Sequence, residues 1–164
     1  MKLYLKRTSA ETGALFLVFG ENGKIVYRIA GDRSPFLDTI CVIYEGKVAA
    51  KIQRVGAVTL SKYNVFVDGT KRFGMIQEFA GTCPRFLFQG VRWKLRGDMA
   101  LRSFDLIDVD GSVLMTHGRC WSACGDCYGL SFFYEELVLP CLCAAVVVDS
   151  LAQNGGRAVV IPSG

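Results

Sequence analysis

Between Leu137 and Val148 the chain runs Leu-Val-Leu-Pro-Cys-Leu-Cys-Ala-Ala-Val-Val-Val, with no charged or strongly polar residue. A helix that is apolar on every side has no face for water and must be surrounded. The stretch falls short of the ~20 residues that span a bilayer, and Glu135, Glu136 and Asp149 close its ends. It therefore predicts a buried helix over about 137–150, with the rest of the chain wrapped around it. Pro140 fits a first helical turn but kinks an interior, so the helix either starts near Leu137 or bends. Gln153-Asn154-Gly155-Gly156 predicts the end of regular structure, giving one domain over 1–152 and a C-terminal tail over 153–164. The apolar Ala158-Val159-Val160-Ile161 suits either an extra strand or that tail.

Everything before the helix reads as strands. Leu3 to Arg7, Ala14 to Phe19, Lys24 to Ile29, Asp38 to Tyr44, Lys47 to Val55, Thr59 to Val67 and Lys71 to Phe79 come first. Arg85 to Gln89, Arg92 to Arg96, Phe104 to Val109, Ser112 to Cys120 and Cys127 to Phe133 complete the set. Turn pairs such as Asn22-Gly23, Glu45-Gly46, Asp68-Gly69 and Asp110-Gly111 separate them and supply the positive φ that tight hairpins need. Twelve short strands at short spacing argue for a barrel or sandwich. The chain also repeats: Tyr27–Gly31 corresponds to Trp93–Gly97, Gly46 to Gly111 and Tyr63 to Tyr128, at offsets of 66, 65 and 65. The fold class expected is mainly β: a twelve-stranded closed barrel of two similar halves around a central hydrophobic C-terminal helix.

The turns at Gly23, Gly46 and Gly111, the run Asp38-Thr39-Ile40, the late Trp121…Gly125-Asp126-Cys127-Tyr128 and the apolar helix ending Val148-Asp149 resemble the LURP-one-related family. That family belongs to the tubby C-terminal-like superfamily, alongside the phospholipid scramblases. The resemblance covers roughly Leu3 to Asp149 and implies a twelve-stranded barrel filled by a hydrophobic helix. Tubby proteins bind phosphoinositides through basic residues, so it also implies an anionic-lipid partner. The small bacterial-type members carry no established activity, and a fold transfers more safely than a function. Cys127 stands where the family pattern has Thr.

The net charge of +4 permits an anionic partner without demanding nucleic acid. Met1 to Arg7 lacks the apolar run of a signal peptide. The seven cysteines follow no regular framework. Reduced thiols in the cytoplasm are expected. His117, Cys120, Cys124 and Cys127 have zinc-compatible residue types. All four lie within one short segment, however, and His117 and Cys120 diverge across a regular strand. Cys124-Gly125-Asp126-Cys127 spells CxxC but precedes a β-rich segment rather than opening a helix. Cys141 and Cys143 read as small hydrophobes in the buried helix. Asp105, Asp108, Asp110 and Gly111 faintly suggest a calcium loop, yet position 116 is Thr where a bidentate Glu is required. No nucleophile elbow, phosphate-binding loop or dinucleotide fingerprint appears. No enzyme activity, metal or cofactor is expected.

The basic residues carry the functional reading. Arg92, Lys94 and Arg96 alternate with Trp93 and Leu95, so three cations share one strand face and the apolar pair turns to the core. Lys47 and Lys51 are expected to share a face, as are Lys24 and Arg28, and Arg102 lies near. Such a stripe suits phosphate groups on an anionic membrane surface or a soluble ligand; it also suits a solvated barrel face, where cations discourage aggregation. The expectation is a non-enzymatic barrel binding anionic phospholipid or another phosphate-bearing ligand through Arg92, Lys94, Arg96, Arg102, Lys47 and Lys51. The alternative is a structural or regulatory protein-interaction module. A metal or redox protein built on His117, Cys120, Cys124 and Cys127 is the third reading.

Overall fold

The computed structural model describes residues 1–8, 14–31, 39–55, 62–80 and 83–160, and their side chains except at 79, 80, 83 and 152–160. The strands are β1 (Lys2–Arg7), β2 (Phe16–Phe19), β3 (Ile25–Gly31), β4 (Thr39–Tyr44), β5 (Lys47–Val55) and β6 (Lys62–Val67). The second set is β7 (Thr70–Ala80), β8 (Cys83–Gln89), β9 (Lys94–Asp98), β10 (Ser103–Ile107), β11 (Val113–Ser122) and β12 (Gly125–Phe132). A 3-10 turn, Glu135–Leu137, leads into α1 (Val138–Val160). All strands join one antiparallel sheet in the order β8-β7-β6-β5-β4-β3-β2-β1-β12-β11-β10-β9. The expected starts at Asp38 and Thr59 fall outside the described residues. β8 opens at Cys83, ahead of the expected start at Arg85.

The ring is nearly, not fully, closed. Among the described residues no ladder joins β8 to β9. Aromatic packing bridges that seam instead: the Trp93 ring lies 5.1 Å from Phe73 and 5.9 Å from Phe88. The repeat predicts this seam to correspond to β2 and β3, which are hydrogen-bonded. The two halves therefore match in strand order but differ in closure.

Alternation turns one residue in two inward. Leu3, Leu5, Val18, Ile29, Val42, Ile52, Val65, Met75, Leu106, Leu130 and Phe132 meet a helix whose Cys141 to Asp149 are almost wholly buried. Burying each large aliphatic contributes about 1.5–3 kcal/mol, so the sheet interior and the helix stabilise one another. Pro140 is the third residue of α1, where no intrahelical amide partner is lost. The helix continues to Val160, beyond the expected end near 150. Gly155 and Gly156 each cost about 1 kcal/mol relative to Ala, but neither blocks the helical hydrogen bond, and the next proline is Pro162.

Bulges modify the alternation. Val42 pairs with Ala50 and Ile43 with Val48, so Ala49 is an extra residue in β5. Leu106 pairs with Met115 and Ile107 with Val113, so Leu114 is its equivalent in β11, at the repeat offset of 65. The Ala49 bulge overturns the expectation that Lys47 and Lys51 share a face. Lys51 stays on the outer register. Lys47, opposite Tyr44, falls on the inner register at the strand end, because one inserted residue inverts a period of two. Val26 is likewise extra in β3 and separates Lys24 from Arg28.

Candidate functional site

On β11 and β12 the inner register runs from core to rim. His117 faces Leu130, Arg119 faces Tyr128, and Trp121 faces Asp126. His117 is buried, whereas Trp121 is 81% exposed. Where the register leaves the core, polar side chains line a pocket of about 280 Å³ with Leu5, Lys6, Arg7, Phe16, Arg102 and Cys127. Its lining residues include four cations, Lys6, Arg7, Arg102 and Arg119, and one carboxylate, Asp126; Lys6 follows buried Leu5 in β1, so its side chain lies on the outer register. Arg119 donates from Nε and an Nη to the two Asp126 oxygens at 3.1 and 2.7 Å. Those bonds hold the Asp126 carboxyl below its ordinary range and push the Arg119 guanidinium up. The Lys6 ammonium donates to the Cys124 carbonyl at 2.5 Å.

Behind the pocket lies a buried ionisable pair. Asp149, on α1, meets His117 Nε2 through Oδ2 at 3.0 Å, and both side chains are wholly buried. Nδ1 of His117 lies 2.7 Å from the Arg102 carbonyl. A carbonyl only accepts, so Nδ1 carries its proton. The His117 ring is sandwiched between Phe104 at 4.4 Å and Tyr128 at 5.0 Å.

Arg102 connects the two levels. Its φ of 53° is left-handed, which is uncommon outside glycine. That turn directs its carbonyl to His117 while its guanidinium stacks 4.2 Å from the Tyr128 ring. One Arg102 nitrogen lies 4.0 Å from Asp149 Oδ1, an oxygen with no hydrogen-bond donor among the described residues. Arg102 thereby reaches from the pocket floor to the central helix.

The sequence-predicted residues fall in several places. Arg92, Lys94 and Arg96 are exposed and alternate with partly buried Trp93 and Leu95. Arg92 precedes β9, and Arg96 bonds Asp105 at 3.1 Å. Arg102 does not join that stripe; its side chain is 23% exposed and turns over Tyr128. Lys51 and Lys47 lie on β5, separated from β9 across the seam by β6, β7 and β8. Asp108 and Asp110 accept local turn amides, and Asp105 holds Arg96. His117 and Cys120 occupy opposite faces of β11. Among the described residues no three His, Cys, Asp or Glu side chains are arranged to hold a metal ion. Sequence reasoning missed Lys6, Arg7, Arg119 and Asp126 as site residues. The available signal was a charge on the register of a core-facing strand: Arg119 stands two residues from His117.

Fold and site together define a class: a nearly closed antiparallel barrel threaded by its own C-terminal helix, with a cation-lined pocket at one end. No family model matches the chain. The uncharacterized protein YxjI of Bacillus subtilis (strain 168) is 24% identical over 155 residues, covering 94% of this chain and 95% of YxjI. The X-ray structure of an Arabidopsis thaliana protein, AT5G01750, matches with a TM-score of 0.61 at 13% identity, over 93% of this chain and 90% of that one. This second likeness extends the barrel architecture to a solved structure. Among the described residues no helix is long and apolar enough to cross a membrane.

Proposed function

We propose that this protein is a non-enzymatic barrel of the LURP-one-related, tubby-like kind that binds a phosphate-bearing ligand in the pocket between β1, β11 and β12. The observation that carries the reading is the gathering of Arg7, Arg102 and Arg119 around a space with one carboxylate. Guanidinium groups suit phosphate because their planar forks bind two oxygens at once. The ligand is the headgroup of an anionic phospholipid or the same phosphate ester free in solution. Exposed Trp121 at the rim supports the membrane source, since an indole favours the bilayer interface.

Co-sedimentation with anionic and neutral vesicles, at low and moderate salt, tests it alongside a titration with glycerol phosphate. Binding confined to anionic vesicles, weakened by salt and lost in the double variant Arg7→Ala/Arg119→Ala, is expected. Saturable binding of glycerol phosphate without vesicle binding assigns the pocket to a free ester. Loss in Arg92→Ala/Lys94→Ala/Arg96→Ala instead moves the site to the β9 face. No binding in either arm overturns the reading.

A protein-interaction role is the second reading, and the β8–β9 seam favours it. A groove of about 580 Å³ lies between those strands, lined by Arg85, Phe86, Lys94 and Leu95 among others. Two strand edges without a ladder between them invite an extended segment. Capture of an acidic extended peptide by seam-intact protein, abolished by salt, checks that reading.

A further inference from the structure

The β11–β12 hairpin carries a different chemistry on its outer face. Cys120 and Cys127 are register partners directly across the hairpin. Their sulfur atoms stand 3.6 Å apart. Directly opposed residues of antiparallel strands have Cα atoms about 4.5–5.5 Å apart, inside the span a disulfide bridges. Joining these sulfurs therefore asks for side-chain movement and leaves the backbone in place.

The neighbouring thiols are placed differently. Cys124 spells CxxC with Cys127, and the Ser122 hydroxyl contacts both, 2.9 Å from the Cys124 sulfur and 3.3 Å from the Cys127 sulfur. Cys141 and Cys143 are wholly buried in α1, and burial pushes both thiols up to about 12. Among the described side chains, the Cys120–Cys127 pair combines a thiol that solvent reaches with a second thiol 3.6 Å away. Cys120 is partly exposed, whereas Cys127 is 3% exposed and lines the cationic pocket.

We propose that Cys120 and Cys127 are a reversible oxidation site, forming an intrachain disulfide by exchange with a low-molecular-weight disulfide. The thiolate of Cys120 attacks one sulfur of that oxidant, forms a mixed disulfide and expels one thiolate. Cys127 then attacks the Cys120 sulfur and expels the second. The protein loses two protons and two electrons; the oxidant gains both and leaves as two thiols. This assignment rests on register and distance and is independent of what the pocket binds.

The test uses the full, reduced protein incubated with oxidised glutathione and then alkylated. Cleavage on the N-terminal side of Asp126 separates Cys127 from Cys120 and Cys124, and cleavage after Trp121 separates Cys120 from Cys124. Mass mapping should show loss of two hydrogens and a Cys120–Cys127 crosslink that reductant reverses. Cys124→Ser should leave the crosslink intact. Cys127→Ser should stall with glutathione on Cys120. A crosslink between Cys124 and Cys127 in the unaltered protein overturns the proposal. So does stable glutathionylation of Cys120 without a crosslink, or an unreacted pair under oxidation that crosslinks a control dithiol protein. Because the unaltered protein gives the decisive map, no variant need fold for the proposal to fail.

Discussion

His117 and Asp149 show how one buried pair ties a strand to the core helix. Ring stacking, a backbone acceptor and a carboxylate fix the imidazole on every side. Replacing His117 by Phe keeps the stack but strands the Asp149 carboxylate. Urea denaturation should show a loss of about 3–5 kcal/mol, the usual cost of breaking a buried pair from one end. The double variant His117→Phe/Asp149→Leu should recover part of that loss, because it removes both desolvated groups. Cys141 and Cys143 give a separate pH signature. Their thiols are raised from 9.0 to about 12 in the folded state, so the stability they contribute is whole below pH 9.0. It falls as pH rises toward about 12, by up to ~1.4 kcal/mol per pH unit for each thiol. Urea midpoints on either side of pH 9.0 measure the slope, which Cys141→Ala/Cys143→Ala should flatten.

Among the elements, β9 has an unusual backbone at one glycine, and β5 carries a bulge. Gly97 in β9 has a φ of 135°, and a Cβ there would press on the Ser103 carbonyl oxygen and lie 2.8 Å from the Phe104 Cα. Gly97→Ala should cost about 1–3 kcal/mol through backbone strain and loosen β9 from β10; thermal unfolding checks it. The seam makes a second expectation. Backbone amides on the facing edges of β8 and β9 lack the ladder that joins β2 to β3, so they should exchange with deuterium faster than those of β2 and β3. Equal protection would mean the seam closes in solution. The bulges at Ala49 and Leu114, at one repeat offset, show that the halves share a local backbone device as well as a strand order. A bulge leaves no mark in hydrophobic pattern alone, which is why Lys47 and Lys51 read as companions in the sequence.

At the scale of the whole molecule, sheet and helix form one cooperative unit. No half-barrel retains a core once α1 is withdrawn, because the inner faces of both halves pack on it. Val146 is wholly buried in that helix. Val146→Asp should abolish folding, since an unpaired charge would enter the core; a soluble variant of unchanged melting temperature would refute the central-helix architecture. Trp93 packs at the seam and Trp121 is exposed, so Trp93 should dominate the fluorescence change on unfolding. That change should coincide with the loss of far-ultraviolet ellipticity.

Each of the twelve strands, the hairpin glycines and the buried helix could be read from residue order, because alternation, turn conformations and an all-apolar stretch are local properties. The stripe Arg92, Lys94 and Arg96 was legible for the same reason. The pocket was not. Arg7, Arg102, Arg119 and Asp126 come together only after β1 closes against β12 and Arg102 takes its left-handed turn. The His117–Asp149 bond spans 32 residues of sequence, and Cys127 meets the Cys120 thiol across the hairpin. Sequence periodicity determined which face of a strand is apolar; strand register, bulges and barrel closure decided which polar groups on those strands stand within bonding distance, because that distance depends on through-space pairing that local pattern does not encode.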